Sequence, residues 1–445
     1  MARRIFLGFL AVLAIGAAVF LAFAWRSEIA AIEPPAPATF SAEQIAAGAN
    51  LAAIGNCITC HTVANGDTFA GSRPIETPFG TVYSTNITPD PETGIGRWSL
   101  AAFNRAMREG VDREGRHLYP AFPYDHFTLV TDEDNAALYA YLMTRTPVAA
   151  PDKPNALIFP LNIRMLVAGW KLLFLQEGPY LANDSQTADW NRGAYLVEGI
   201  AHCGGCHTPR NVLGAENKSA AYDGADIEGW HAYPINRGSP APVPWDRDKL
   251  AFYLAKGWHH DHGISRGPMA PVTANLGAAN DEDVRAIAAY TASLMGEASP
   301  ERVNAGEALL AAVKDGKGGN EREANPTGAA LFAGACASCH DGRRPLPYGG
   351  LHLALSTAVH ADDPQNIANV VLGGIRPAEG ERSPLMPGYA GAITNEQLVA
   401  LLEFLRARYT DKPPWTGLAE TVREARGTLT LVYPADGAQA APPPN

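Results

Sequence analysis

Every cysteine of the chain belongs to a Cys-x-x-Cys-His pentapeptide. Cys57-Ile-Thr-Cys60-His61, Cys203-Gly-Gly-Cys206-His207 and Cys336-Ala-Ser-Cys339-His340 use all 6. Two thiols separated by two residues can each close a thioether on a haem vinyl group, and the adjacent histidine then reaches the iron, which is the pattern of c-type haem attachment. A zinc site would want a fourth ligand at finger-like spacing, and a redox disulfide would need no histidine. Three covalent haem c groups are therefore expected. Their anchors would be Cys57, Cys60, Cys203, Cys206, Cys336 and Cys339, with His61, His207 and His340 as iron ligands.

Each haem needs a second axial donor, most often a methionine on a loop. Gly267-Pro-Met269-Ala-Pro271 and Pro384-Leu-Met386-Pro-Gly388 each precede the last helical stretch of their repeat, so Met269 and Met386 are ligand candidates rather than core methionines. The matching loop of the first repeat is Tyr119-Pro-Ala-Phe122-Pro-Tyr124, and phenylalanine cannot ligate iron. His126, four residues on, is the expected sixth ligand there, with His117, Met107 and an open iron as competitors. Exchanging thioether for imidazole favours ferric iron, so the first haem should have the lowest potential. Asn86, Arg97, Trp98 and Arg210 are candidate propionate donors against ordinary surface roles. His259, His260 and His262 are expected to face solvent or a propionate.

The elements that must hold these groups repeat with them. A helix with an interior glycine leads into each motif: Ser41 to Ile54 with Gly48, then Gly193-Ala-Tyr-Leu196, then Gly328-Ala-Ala-Leu331. Glycine there costs about 1 kcal/mol against alanine, so its recurrence points to close helix crossing. Each copy closes with a capped helix after Thr131-Asp-Glu-Asp134, Asn280-Asp-Glu-Asp283 and Thr394-Asn-Glu-Gln397, the last a capping box. A further helix is expected from Leu100 to Glu109.

The expected fold class is all-α, three tandem cytochrome c-type domains with long loops behind an N-terminal transmembrane helix. The boundaries are 1–33 for the anchor, 40–150 for domain one, 151–180 for a linker with an apolar docking segment, and 185–297 for domain two. A linker over 298–325, domain three over 326–412 and a tail over 413–445 complete the chain of 445 residues. Arg3 and Arg4 precede an apolar run from Ile5 to Trp25, long enough to span a bilayer, and the positive-inside rule leaves the rest on the far side. Ala22-Phe-Ala24 offers a cleavage site, the competing reading. Leu161 to Leu175, with Arg164 and Lys171, is too short to span and is open to packing, partner docking or interfacial roles. A net charge of −11 and a pI near 5.6 weigh against nucleic-acid binding.

These motifs in their order, with Asn86-Ile-Thr-Pro89, Leu118-Tyr-Pro-Ala121 and Ala168-Gly-Trp-Lys171, resemble the three-haem cytochrome c subunit of bacterial membrane-bound dehydrogenases. The likeness covers nearly the whole chain after the anchor. It implies a subunit without catalytic residues of its own. Such a subunit takes electrons from a catalytic dehydrogenase partner and delivers them to ubiquinone or a terminal oxidase at the periplasmic face of the inner membrane. Tyr119-Pro-Ala-Phe-Pro-Tyr-Asp-His126-Phe and Lys412-Pro-Pro-Trp415 look like the branch that pairs with a molybdopterin hydroxylase and a small iron–sulfur subunit, oxidising aldehydes or N-heterocycles. The alternative branch pairs with quinoprotein alcohol dehydrogenases or flavin gluconate and sugar-acid dehydrogenases. A multihaem peroxidase with an open first iron is the rival from a different class. The two methionine loops weigh against it.

Overall fold

The computed structural model describes residues 1–320, 325–341, 344, 346, 347, 349–376 and 384–432. The tail ending Ala441-Pro-Pro-Pro444 lies outside them. The chain forms two compact units. The first is Met1–Ala182 with Glu198–His202 and Val212–Ala215, and the second is Asn183–Val197, Cys203–Asn211 and Glu216–Asn445.

In the first unit, α1 (Ala2–Ala24) has a mean hydropathy of 2.7 in its most apolar window, and only Ala24 is buried. α2 (Ala42–Ile54) starts at Ser41, whose hydroxyl accepts from Gln44 N. α3 (Leu100–Glu109) ends at Gly110, where a φ of 60° lets the chain leave the helix in the left-handed region. α4 (Asp132–Met143) is capped by Thr131 and carries three acids in its first turn, where the helix dipole favours them. α5 (Val167–Phe174) follows a 3-10 turn over Arg164–Leu166. Strands β1 (Pro74–Thr77), β2 (Gly80–Tyr83) and β3 (Ala156–Leu157) form an antiparallel sheet in that order, with Ile75 opposite Val82 and Gly80 opposite Leu157.

The joint of this unit is α2 across α4. A Cβ added at Gly48 would lie 2.0 Å from the Ala137 carbonyl oxygen, so only glycine lets the two backbones come this close. Leu51, Ile54, Leu138 and Tyr139 fill the crossing, and Phe40 meets the Tyr139 ring edge-on.

The second unit repeats the joint twice. It contains α6 (Ala188–Glu198, whose last residue falls in the first unit), α7 (Arg247–Lys256), α8 (Asp281–Met295), α9 (Pro300–Lys314), α10 (Pro326–Ala335), α11 (Gln365–Gly373), α12 (Asn395–Tyr409) and α13 (Leu418–Val432). A Cβ at Gly193 would meet Ala286 O at 2.0 Å, and one at Gly328 would meet Ala400 O at 2.0 Å. The Asn280 cap and the Thr394–Gln397 capping box form as the sequence leads one to expect. Hairpins β4 (Ala225–Ile227) with β5 (Trp230–Ala232) and β6 (Trp258–His259) with β7 (Gly263–Ile264) complete it.

Three features depart from the sequence reading. The all-α expectation meets, among the described residues, seven strands of two to four residues, all in tight hairpins or at their rims. The expected linker over 298–325 contains α9, because Ser299 caps it, Pro300 sits in its first turn and Gly306 packs against Pro244. The expected tail from 413 contains α13, whose Val422 and Ala425 join the core of Leu372, Leu398 and Leu402.

Candidate haem-attachment sites

Each Cys-x-x-Cys-His forms one short helical turn directly after its glycine-crossed helix, over Cys57–His61, Gly204–His207 and Ala337–His340. In the first two copies the residue before the leading cysteine takes a positive φ, 53° at Asn56 and 40° at His202, which breaks the preceding helix and restarts the chain. None of the six cysteines is disulfide-bonded. Burial, with neighbouring Cys60, pushes the Cys57 thiol up to about 12, and burial raises Cys336 as well.

The three motif histidines share one arrangement. His61 Nδ1 donates to Thr85 O, His207 Nδ1 to Tyr233 O and His340 Nδ1 to Leu351 O, each at 2.7 Å. A carbonyl only accepts, so the proton is on Nδ1 and the lone pair is on Nε2, the tautomer a metal needs. Burial lowers the pKa of all three, keeping them neutral.

The second-ligand candidates follow the helix that ends on a positive-φ glycine, Gly110, Gly257 or Gly374. Leu118 N donates to Gly110 O at 2.7 Å in the first copy, and Ser265 N to Gly257 O at 2.7 Å in the second. That shared register puts Phe122 and Met269 at the same station, each four residues on. The third copy is built differently. Ile375, right after Gly374, pairs with Met386 itself through two backbone bonds of 2.8 and 2.9 Å. Met269 opens a helical segment to Leu276, whereas Met386 lies in this bridge.

His126 lies in the helical turn Tyr124–Phe127, 2% exposed, with Nδ1 donating to Glu198 O at 2.6 Å, the same Nδ1-to-carbonyl arrangement as the motif histidines. His117 is a different case and drops out as a ligand. Its Nε2 donates to Ala24 O at 2.7 Å and its Nδ1 accepts from Lys171 Nζ at 3.0 Å, so both nitrogens are committed. Met107 is buried on α3 three residues before Gly110, where the other copies carry the buried Leu254 and Val371.

Of the propionate candidates, Asn86 is occupied elsewhere. Its Nδ2 donates to Thr93 and to Val148 O, while its Oδ1 accepts from Thr88, pinning the loop to the chain beyond α4. Arg97 pairs with Glu92 at 3.1 Å, and Arg210 donates to Gly205 O. His260 is exposed, but His262 is 5% exposed and stacks on Trp245 at 3.5 Å. Neither ring nitrogen of His262 nor Arg266 Nε has a hydrogen-bond partner among the described residues. Buried polar atoms require partners, and a haem brings two carboxylates. Paired thiols, ligand-ready imidazoles and these orphaned groups fit covalent haem.

Comparison with known proteins agrees. A family model described as "Cytochrome c" matches residues 45–146, and one described as "Cytochrome C oxidase, cbb3-type, subunit III" matches residues 323–405. The chain is similar to a nicotinate dehydrogenase subunit of Pseudomonas putida, 46% identical over 409 residues, 91% of this chain but only 34% of that protein. It thus spans about a third of that relative's length. It is also similar to the fructose dehydrogenase cytochrome subunit of Gluconobacter japonicus, 34% identical over 88% of this chain and 84% of that one. The gluconate 2-dehydrogenase cytochrome c subunit of Pantoea cypripedii is 35% identical over 86% and 90% respectively.

Proposed function

The chain belongs to the family of cytochrome c subunits of dehydrogenase complexes, and on that premise we propose that it carries three haem c groups and passes electrons from a catalytic partner to ubiquinone or a terminal oxidase. The observation that carries this reading is the threefold recurrence of a buried, neutral histidine with Nδ1 tied to a carbonyl 2.7 Å away, directly after a thiol pair. Cys57 with Cys60, Cys203 with Cys206 and Cys336 with Cys339 are the covalent anchors. His61, His207 and His340 would bind the three irons, and His126, Met269 and Met386 would supply their second ligands. The haem-bearing repeats are residues 40–150, 185–297 and 326–412.

When bound, haem supplies a one-electron iron couple. The protein's part is to fix the ligands and tune that couple. Each carbonyl bond holds its imidazole in one tautomer and raises its basicity. A thioether as second ligand would favour ferrous iron and an imidazole ferric, so the first repeat would suit electron entry and the methionine repeats the later steps.

The partner in this reading is a molybdopterin dehydrogenase with a small iron–sulfur subunit, acting on an aldehyde or N-heterocycle. Support comes from the Tyr119 to Phe127 sequence and from the likeness to the nicotinate dehydrogenase subunit. α1 is a retained anchor in the inner membrane, with the haem repeats on the periplasmic side. What supports retention is that Ala24, the last residue before the competing cleavage point, is buried and its carbonyl accepts from His117 Nε2 at 2.7 Å.

Membranes from the source cell provide the test. The complex purified from them should show haem reduction on addition of an aldehyde or N-heteroaromatic substrate, and none once the partner subunits are stripped away. Substrate-independent peroxide turnover by the isolated chain would favour the peroxidase reading instead.

A further inference from the structure

α1 has 23 residues, about 34 Å of helix against a hydrocarbon layer of about 30 Å, so its last turn must lie near the bilayer surface. That turn does not stand alone. A Cβ added at Gly169 of α5 would sit 3.7 Å from Phe20 Cε2, and both α5 and the Arg164–Leu166 turn contact α1. Phe20 lies four residues, about 6 Å of rise, below Ala24. Whatever packs at Phe20 is therefore at the depth where acyl chains meet headgroups.

What packs there is apolar on its outer side. Leu172 and Leu173 are 70% and 67% exposed, and Ile158, Phe159, Ile163 and Leu166 are exposed as well. The two charges of the stretch are turned inward. Lys171, 8% exposed, donates to Glu109 O, to Gly110 O and to His117 Nδ1. Arg164 donates to His117 O and lies over the Tyr119 ring. An amphipathic segment is ordinarily apolar toward the protein. This one spends its cations on the protein and leaves its leucines outside.

We propose that α5 and the 158–166 segment before it form an interfacial collar, inserted into the headgroup–acyl boundary beside the emerging α1. The bilayer is the committed occupant, because the face is continuous with the end of a helix that itself needs lipid, and it is too short to span. Lys171 and Arg164 act as pegs that hold the collar on the first unit, so that unit is held to the membrane at a fixed height rather than swinging on a single helix. The inference rests on α1 being retained as the anchor.

The test uses the full haem-loaded chain in phospholipid vesicles, with single nitroxide labels at Phe159→Cys, Leu172→Cys and Leu173→Cys and a lipid reference at Leu13→Cys. All four sites are exposed, so the labels leave the core and the haem spectrum unchanged. The collar positions should be more accessible to oxygen than to an aqueous nickel chelate, as at Leu13. Greater accessibility to the chelate would put the face in water, and shielding from both reagents would mean a protein subunit or second copy covers it; either result overturns the proposal. Intact mass on the same sample separates the causes. Water-facing labels with α1 present overturn the collar alone, whereas loss of α1 overturns the anchor reading and the collar with it.

Discussion

An imidazole tied through Nδ1 to a main-chain carbonyl can serve iron with no rearrangement, and the chain builds that contact three times from unrelated partners. The histidines were legible in the sequence because a pentapeptide announces them. Their acceptors were not, since Thr85, Tyr233 and Leu351 lie 24, 26 and 11 residues away and contribute only backbone. The same limit hid the engagement of His117, whose partners are a carbonyl of the N-terminal helix and Lys171. The correspondence of Phe122 with Met269, by contrast, was legible, because both stand four residues after the same backbone bond to a left-handed glycine. His126→Ala should turn one haem of three high-spin and able to bind carbon monoxide, read by electron paramagnetic resonance and absorption. Met107→Leu should leave the spectrum unchanged; the opposite pattern would move the ligand to α3. Met269→His and Met386→His should each lower one potential in a redox titration and remove that haem's methionine-to-iron band. A variant of either with an unaltered band would take that methionine off the iron.

Helices over 42–54, 100–109 and 132–143, and the crossing glycines, follow from patterning, caps and the cost of a glycine in mid-helix. α9 and α13 do not, because polar composition and a nearby glycine read as linker and tail. Yet Ser299-Pro300-Glu301 is a start signal in its own right, and Gly306 is there for contact with Pro244 rather than to end a helix. The difference between a packing glycine and an idle one can be measured. Gly193→Ala and Gly328→Ala would each drive a methyl to 2.0 Å from a carbonyl oxygen and should cost about 1–3 kcal/mol in thermal unfolding. Gly427→Ala in α13 meets nothing within 4 Å and should stabilise by up to about 1 kcal/mol. Equal effects at the three sites would show that crossing distance is not what the glycines provide.

At the scale of the molecule, the sequence shows a three-fold repeat, and the structure gathers the second and third copies into one unit. Side chains binding backbone make that joint. Asn366 accepts from His231 N at 2.9 Å and donates to His231 O at 2.7 Å, Asn369 donates to Gly229 O, and Arg266 to Gly374 O. No residue pattern encodes a carbonyl as a partner, so the union of those copies was beyond the sequence. Retention of α1 belongs to this scale too. Intact mass of the native protein should include the residues before Trp25, and a mature chain beginning at Trp25 would show that the helix is removed. The claim on which the rest depends is that each copy holds its own covalent haem. Fully matured protein, denatured and freed of loose cofactor, should give three haems per chain by pyridine haemochrome and by mass. Two or fewer would contradict it.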